Sequence, residues 1–291
     1  TGTLGAGLTN TGLASVSGAV NGAVINQNDA DLIVTGATAS NGALTNSNTS
    51  QVTVNTGAEW TGLTGVTNSS TAVDGVLING TLTTAGDVNN QAGASVRVAN
   101  GGTLNAGSVT NAATGLITVD QGGTVNDNLN NSGIINTAGA YNADVNNDGA
   151  TAVITNQATG VWTGDVLSNL NGATILNQGL WDGDIATSAA LTNAATGTIT
   201  GDVANLGGGL FTNSGLVSGA TTNGVTATLV NSGALSGGLN NTGVAFANGA
   251  INGAILALGL LEGGRQGAKD ALNRFWRALG AKYAVSPMKA T

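Results

Sequence analysis

The 291-residue chain contains no cysteine and no histidine. Their absence excludes disulfides, thiol chemistry, Cys/His metal sites and every histidine-based catalytic triad. Proline occurs once, aromatic residues make up 3% and charged residues 8%. A disordered chain is highly charged and poor in aliphatics, whereas this one is nearly uncharged and rich in Val, Ile, Leu and Thr. Gly follows no three-residue period, and with almost no Pro that excludes collagen. No apolar run reaches the roughly 18–20 residues that a membrane-spanning helix needs. No signal-peptide pattern is read at the start. The chain opens on Thr1 rather than Met, as expected of a mature product or an excised fragment.

Positive charge is nearly missing from most of the chain. Of seven basic residues only Arg97 precedes position 265; the others are Arg265, Lys269, Arg274, Arg277, Lys282 and Lys289. Residues 1–261 hold thirteen acids and a net charge of −12, whereas 262–291 carry +4. The acidic body is a poor partner for nucleic acid, since phosphate neutralisation needs clustered Lys and Arg.

What the chain does have is Gly, 48 residues of it, and a recurring line. Ile154-Thr-Asn-Gln-Ala-Thr-Gly-Val-Trp-Thr-Gly-Asp-Val166 returns as Ile175-Leu-Asn-Gln-Gly-Leu-Trp-Asp-Gly-Asp-Ile185 and as Leu191-Thr-Asn-Ala-Ala-Thr-Gly-Thr-Ile-Thr-Gly-Asp-Val203. Weaker copies start at Phe211 and Leu229. A repeat of this length with Gly or Asn at each corner is one coil of a solenoid. Short alternating strands such as Gln51-Val-Thr-Val-Asn55 and Leu116-Ile-Thr-Val119 lie between Asn-Gly, Gly-Gly and Asp-Gly corners. Asn and Gly accept the positive φ of a sharp corner, whereas a β-branched residue is strained there. The Asn-Gly pairs also read as hairpin turns of an antiparallel protein. Hairpins would make neighbouring units alternate, and these units are alike.

The expected fold is therefore all-β: a right-handed parallel β-helix of roughly 16–21-residue coils over 1–248, with a short α-helical tail over 249–291. At roughly 19 residues per coil this gives about 13 coils and a rod about 60 Å long. Its open ends need capping or continuation. Asn156, Asn177, Asn193, Asn213 and Asn231 fall at equivalent positions and predict an amide ladder from coil to coil. Trp162, Trp181, Ile199, Val217 and Leu235 share a second stack, which favours the interior for the Trp rings over an outward, sugar-stacking role.

In the tail, Leu272, Phe275, Trp276, Leu279 and Tyr283 form one helical face, with Arg265, Lys269, Asn273, Arg277 and Lys282 over much of the other. Gly280 and Pro287 bound the helix. It reads as a cap on the open end of the core or as a fragment of another domain. A basic membrane-surface helix fits less well, because its apolar face is short.

Over residues 1–248 the Thr-Asn-x-Gly and Gly-Asp-Val lines, with no Cys, resemble the passenger domains of bacterial autotransporters and related haemagglutinin-type adhesins. That resemblance implies a β-helical protein exported through the outer membrane to the cell surface, with a translocator barrel lying outside this stretch. Gly249-Ala-Ile-Asn-Gly-Ala-Ile-Leu-Ala257 and Gly263-Gly-Arg-Gln-Gly-Ala-Lys-Asp-Ala-Leu-Asn-Arg-Phe-Trp276 resemble a stretch of bacterial patatin-like phospholipases. In that family the stretch follows a Gly-x-Ser-x-Gly nucleophile elbow. Ala247 stands where the Ser belongs and has no hydroxyl to attack an ester, so the resemblance implies a remnant without lipase activity.

Acids are the remaining candidates for chemistry. Asp165, Asp184 and Asp202 recur in register in Gly-Asp-[Val/Ile], and Asp87 has the same context. Stacked carboxylates repel unless solvated or bridged by a cation. A calcium ladder is one reading and solvated corners the other, favoured because the Gly-Gly-x-Gly-x-Asp nonapeptide is absent. Asp182 with Asp184, or Asp144 with Asp148, are candidates for an inverting glycosidase pair, whose separation of about 6.5–9.5 Å residues i and i+2 of one strand can reach. Acids on corners beside Asn and Gly are more often simply polar, and that reading is favoured. A lyase for acidic polysaccharides would have only Arg97 in the repeats to offset substrate charge. Thr81-Leu-Thr-Thr84 and Thr196-Gly-Thr-Ile-Thr200 suggest an ice-binding face, but the Thr hold no single register.

No catalytic, cofactor-binding or metal-ligating residue is assigned, and no cofactor is expected. The reading is a non-enzymatic, secreted or surface-displayed stalk or adhesin outside the cell, with a host or cell-surface protein or glycan as partner and no nucleic acid. The alternatives are a carbohydrate-active β-helix enzyme and an inactive patatin-like fusion remnant.

Overall fold

A computed structural model describes residues 2–252 and 254–256. They form an all-β parallel solenoid of right-handed type, with about 12 turns of about 20 residues. Each full coil contributes one short strand to each of three faces. Face 1 is a sheet of fourteen strands, running from Leu8–Asn10 through Val88–Asn90 and Val203–Asn205 to Ala254–Leu256. Face 2 follows in each coil with strands such as Gln51–Val54, Leu116–Val119 and Thr174–Asn177. Face 3 closes it with strands such as Glu59–Leu63, Thr103–Asn105 and Val161–Thr163. Leu13–Val20 and Asp31–Ser40 run through the corner between faces 2 and 3, which joins these faces into one 25-stranded sheet.

Every strand pairing is parallel and links like residues of adjacent coils, as in Asn156 beside Asn177 and Trp162 beside Trp181. That arrangement excludes the hairpin reading. Coil length varies because the corners absorb it. A sequence step of 16 takes Asn131 to its partner Asn147, whereas a step of 22 takes Asn68 to Asn90.

The interior is one continuous column, mostly of aliphatic side chains. Face 1 contributes Val66, Val88, Val109 and Leu129; face 2 contributes Ile117, Ile135, Ile154 and Ile175; face 3 contributes Leu82, Leu104 and Val125. Full burial of each such side chain stabilises by about 1.5–3 kcal/mol. The Gly before each corner Asp is needed for space. Gly164 and Gly183 have φ of 130° and 157°, and a Cβ on Gly183 would run into the Gly164 carbonyl. Corner chemistry departs from expectation at two points. Asn28, Asn48 and Asn171 adopt positive φ as expected, but so do the β-branched Thr114 and Thr226, at 65° and 67°. At those positions the paired coils on either side hold the corner in a conformation that Thr alone disfavours.

Pairing continues past Asn248. Ala250–Ile251 pairs with Ala234–Leu235, and Ala254–Leu256 pairs with Leu239–Asn241. The first residues likened to the lipase stretch thus lie in the solenoid. The helix expected over Arg265–Tyr283 lies outside the described residues.

Candidate functional site

Two files of buried amides run along the rod. The expected one, on face 2, is present: Asn156 Nδ2 donates to Asn177 Oδ1 at 2.8 Å, and the relay continues through Asn193 and Asn213 to Asn231 at 2.8–2.9 Å. A longer file on face 1 was missed. It joins Asn10, Asn26, Asn46, Asn68, Asn90, Asn111, Asn131, Asn147 and Asn169 at 2.8–3.1 Å. Thr187 then takes the place of an amide, and the file resumes from Asn205 through Asn223 to Asn241. Within both files, up to the last member, the Nδ2 donates to the side chain of the next coil and also to a backbone carbonyl, as Asn26 does to Asn46 Oδ1 and to Gln51 O at 2.9 Å. A buried amide is tolerated only when so satisfied. Where Thr precedes an Asn in the file, the relay fails. The buried Oδ1 atoms of Asn156 and Asn205 have no partner, because the hydroxyls of Thr137 and Thr187 turn to the carbonyls of Gly139 and Ala189. The signal was available: the aligned line stopped at Val166, Ile185 and Val203, and each of these opens a face 1 strand that carries the missed file.

On face 3, Tyr141, Trp162 and Trp181 pile up inside the rod with ring centroids 4.5 and 4.6 Å apart and planes 8° from parallel. All three, like Trp60, are fully buried, so none presents a ring to a sugar. Each polar tip reaches the preceding coil. Trp162 Nε1 donates to Ala143 O at 3.0 Å and Trp181 Nε1 to Gly164 O at 3.1 Å. Trp60 Nε1 donates to Ser40 Oγ at 2.8 Å. At Tyr141 the acceptor is a carboxyl instead: its hydroxyl meets Asp127 Oδ2 at 3.4 Å. Asp127 Oδ1 is buried without a partner. Burial pushes the Asp127 carboxyl up to about 7, and the Tyr141 hydroxyl pulls it down less. Burial and the neighbouring Asp127 together push the Tyr141 phenol well above its usual value.

The recurrent acids form a third file, on the outside. One oxygen of each accepts a backbone N–H from the next coil: Asp144 from Asp165 at 2.9 Å, Asp165 from Asp184 at 2.8 Å, Asp184 from Asp202 at 2.7 Å and Asp202 from Ala220 at 2.7 Å. Asp165, Asp184 and Asp202 edge a depression of about 380 Å³ on the outer side of face 1, floored by residues such as Leu167, Ala186 and Ala204. A second depression, of about 240 Å³, adjoins it at Leu167 and includes Asn130, Asp144 and Asn146. Leu167, 57% exposed, stands between them because the pairing slips by one residue between Val145 and Asn146. Such bulges re-aim a side chain.

The candidate carboxylate pairs, Asp182 with Asp184 and Asp144 with Asp148, do not come together in this groove. Asp184 lines it, while Asp182 takes the Thr200 hydroxyl at 2.5 Å beyond it. Asp144 lines the second depression, while Asp148 takes the Asn171 amide at 2.7 Å. Asp87 accepts the Ser108 hydroxyl at 2.7 Å. Arg97 bridges Asp120 at 2.8 Å and Asp74 at 3.5 Å, and Asp120 raises its pKa. Among the described residues no three acids converge to hold a metal ion.

No protein family, curated protein or solved structure matches this chain. The likenesses to autotransporter passengers and patatin-like phospholipases therefore rest on the quoted residues alone. The described site is a groove with an acidic rim and a largely apolar floor, on a rod whose coils are joined by two amide files.

Proposed function

We propose that the chain is a non-enzymatic, secreted or surface-displayed stalk or adhesin passenger whose rod presents the face 1 groove and corner loops to a partner. The observation that supports this reading is the long face 1 amide file. Coils locked to their neighbours by both backbone and side-chain hydrogen bonds hold outward side chains at fixed spacing, as a presenting surface requires. Low charge and the absence of Cys suit export as an unfolded chain. The partner is a host or cell-surface protein or a glycan.

Protease shaving of intact source cells tests the display. Proteinase should release rod fragments into the supernatant while a cytoplasmic marker stays intact, or the untreated medium should already hold the chain. Retention of the whole protein inside shaved cells would sink the reading.

A further inference from the structure

Exposed apolar side chains are spread unevenly over the rod. Of the thirteen large ones among the described residues, six lie in three consecutive coils near its C-terminal end. Leu206 and Val225 stand on the corner that leads into face 2, and Leu210, Val230, Val244 and Phe246 stand on face 2 itself. Coil-to-coil pairing sets Leu210, Thr228 and Val244 in one outward row and Thr212, Val230 and Phe246 in the next. Phe246 is 62% exposed and Val225 69%. Apolar patches of this kind mark interaction surfaces.

Charge narrows what can cover the patch. Residues 1–261 carry a net charge of −12, so a second copy is repelled along most approaches. Asp144, Asp165, Asp184 and Asp202 edge the depressions of face 1, and Glu59 and Asp182 lie in strands of face 3. Face 2 itself holds Asp31 and Arg97 in its first half. Its last eight strands, from Leu116–Val119 to Val244–Ala247, contain no charged residue. From Thr174 to Gly249 the corners on both sides of face 2 contain none either. An acidic or basic partner would find no opposite charge on this stretch, whereas a second copy would meet no like charge. The outward rows of both copies also repeat at the same coil spacing of about 4.8 Å, so they can interdigitate along their whole length.

We propose that the outer side of face 2 over its last five coils is where two copies of the chain meet, side by side and sheet on sheet. Those coils, from Thr174–Asn177 to Val244–Ala247, cover about 24 Å along the axis and, with the corners, about 20 Å across it. The footprint is roughly 500 Å² per copy, or about 1,000 Å² in all, the least that a specific contact needs and the size of a reversible one. The same patch serves both copies, so the contact closes at two instead of growing into a fibre. It uses outward side chains of face 2 alone and leaves the face 1 groove open.

Sedimentation velocity of the full chain over a micromolar concentration series, with small-angle X-ray scattering at both ends of the series, tests the contact. Monomer should pass to dimer, and the dimer should double the mass per unit length while the length changes little. Raising salt from about 0.05 M to about 0.5 M should tighten association several-fold, because it screens the repulsion between two acidic rods. Val230→Glu/Phe246→Glu places two carboxylates on each copy's patch and should hold the chain monomeric throughout. Leu167→Glu, on face 1, should leave association unchanged. Val230→Thr/Phe246→Thr repeats the Thr already present in these rows and should weaken association at least ten-fold. That variant decides the matter if the Glu pair loses the parent's circular dichroism. A parent that stays monomeric at every concentration, a dimer that salt dissociates, or one that lengthens the rod would each overturn the proposal. So would a dimer that survives the Thr pair, or one that Leu167→Glu weakens equally.

Discussion

The two halves of the rod fill one interior position with opposite chemistry. On face 2 the column reads Val34, Val54, Ile78, Val98 and Val119 in the first half, then Thr137, then Asn156, Asn177, Asn193, Asn213 and Asn231. All eleven are buried, and the backbone pairing is the same on both sides of the border. A parallel stack thus accepts an aliphatic column or an amide column, provided that neighbours agree. Aliphatic members contribute independently through burial, whereas amide members depend on one another, each supplying the acceptor or donor that the next requires.

The largest expected effect comes from putting one chemistry into the other's half. Val98→Asn loses a buried Val and strands an amide between Ile78 and Val119. It should destabilise by about 4 kcal/mol or more, from about 1.5–3 for the lost burial and about 1–3 for each unpaired group. Urea denaturation followed by circular dichroism measures it; a loss under about 1 kcal/mol would make the two columns interchangeable. Next, Asn193→Val interrupts the amide half. It leaves Asn213 Oδ1 without its donor and removes one acceptor from Asn177 Nδ2, so a cost of about 2–3 kcal/mol is expected. Paired with Asn213→Val the costs should fall short of additive, which a double-mutant cycle reads directly.

The border itself carries the third test. Asp127, in the coil preceding Tyr141, has a folded-state pKa of about 7 against the ordinary 3.8. Between about pH 4 and 7 the folded chain therefore holds a proton that the unfolded chain has released. Stability from this group is greatest below about pH 4, declines as pH rises to about 7, and stays lower above. Asp127→Asn should remove that decline and stabilise by about 1–2 kcal/mol at pH 8, the full shift being reduced because the residue is only half-buried. Equal slopes of melting temperature against pH in the two proteins would refute it. The smallest effect is a repair. Thr137→Asn extends the amide file by one coil and gives Asn156 Oδ1 a donor, a gain of about 0.5–1.5 kcal/mol in the same urea assay.

Much of this is legible in the sequence. Aligned copies of one line placed Asn156 to Asn231 in one file and Trp162, Trp181 and Ile199 in one column, because a parallel stack puts like above like. The face 1 file escaped because coils of unequal length disguise its spacing, the step from Asn131 to Asn147 being much shorter than that from Asn68 to Asn90. Its cue, an Asn closing a three-residue strand, looks like corner chemistry. Asp127 was illegible for a related reason: within Asn126-Asp127-Asn128 it reads as a wet corner, and it is drawn inward by a tyrosine one coil later. The groove depends on a one-residue slip that inserts Leu167, and no local sequence rule marks where a stack will slip.

The amide files also give the rod a sense of direction. In both interior files the hydrogen always points toward the C-terminal coil and the oxygen toward the N-terminal one. The outward pairs Asn126 to Asn105 and Asn142 to Asn126 run the other way. Interior side-chain dipoles therefore add along the axis instead of cancelling, and a finished coil offers free donors to the chain that follows it. Each coil is in this sense a template for its neighbours: one wound from the N-terminal end meets free donors, and one wound from the other end meets free acceptors.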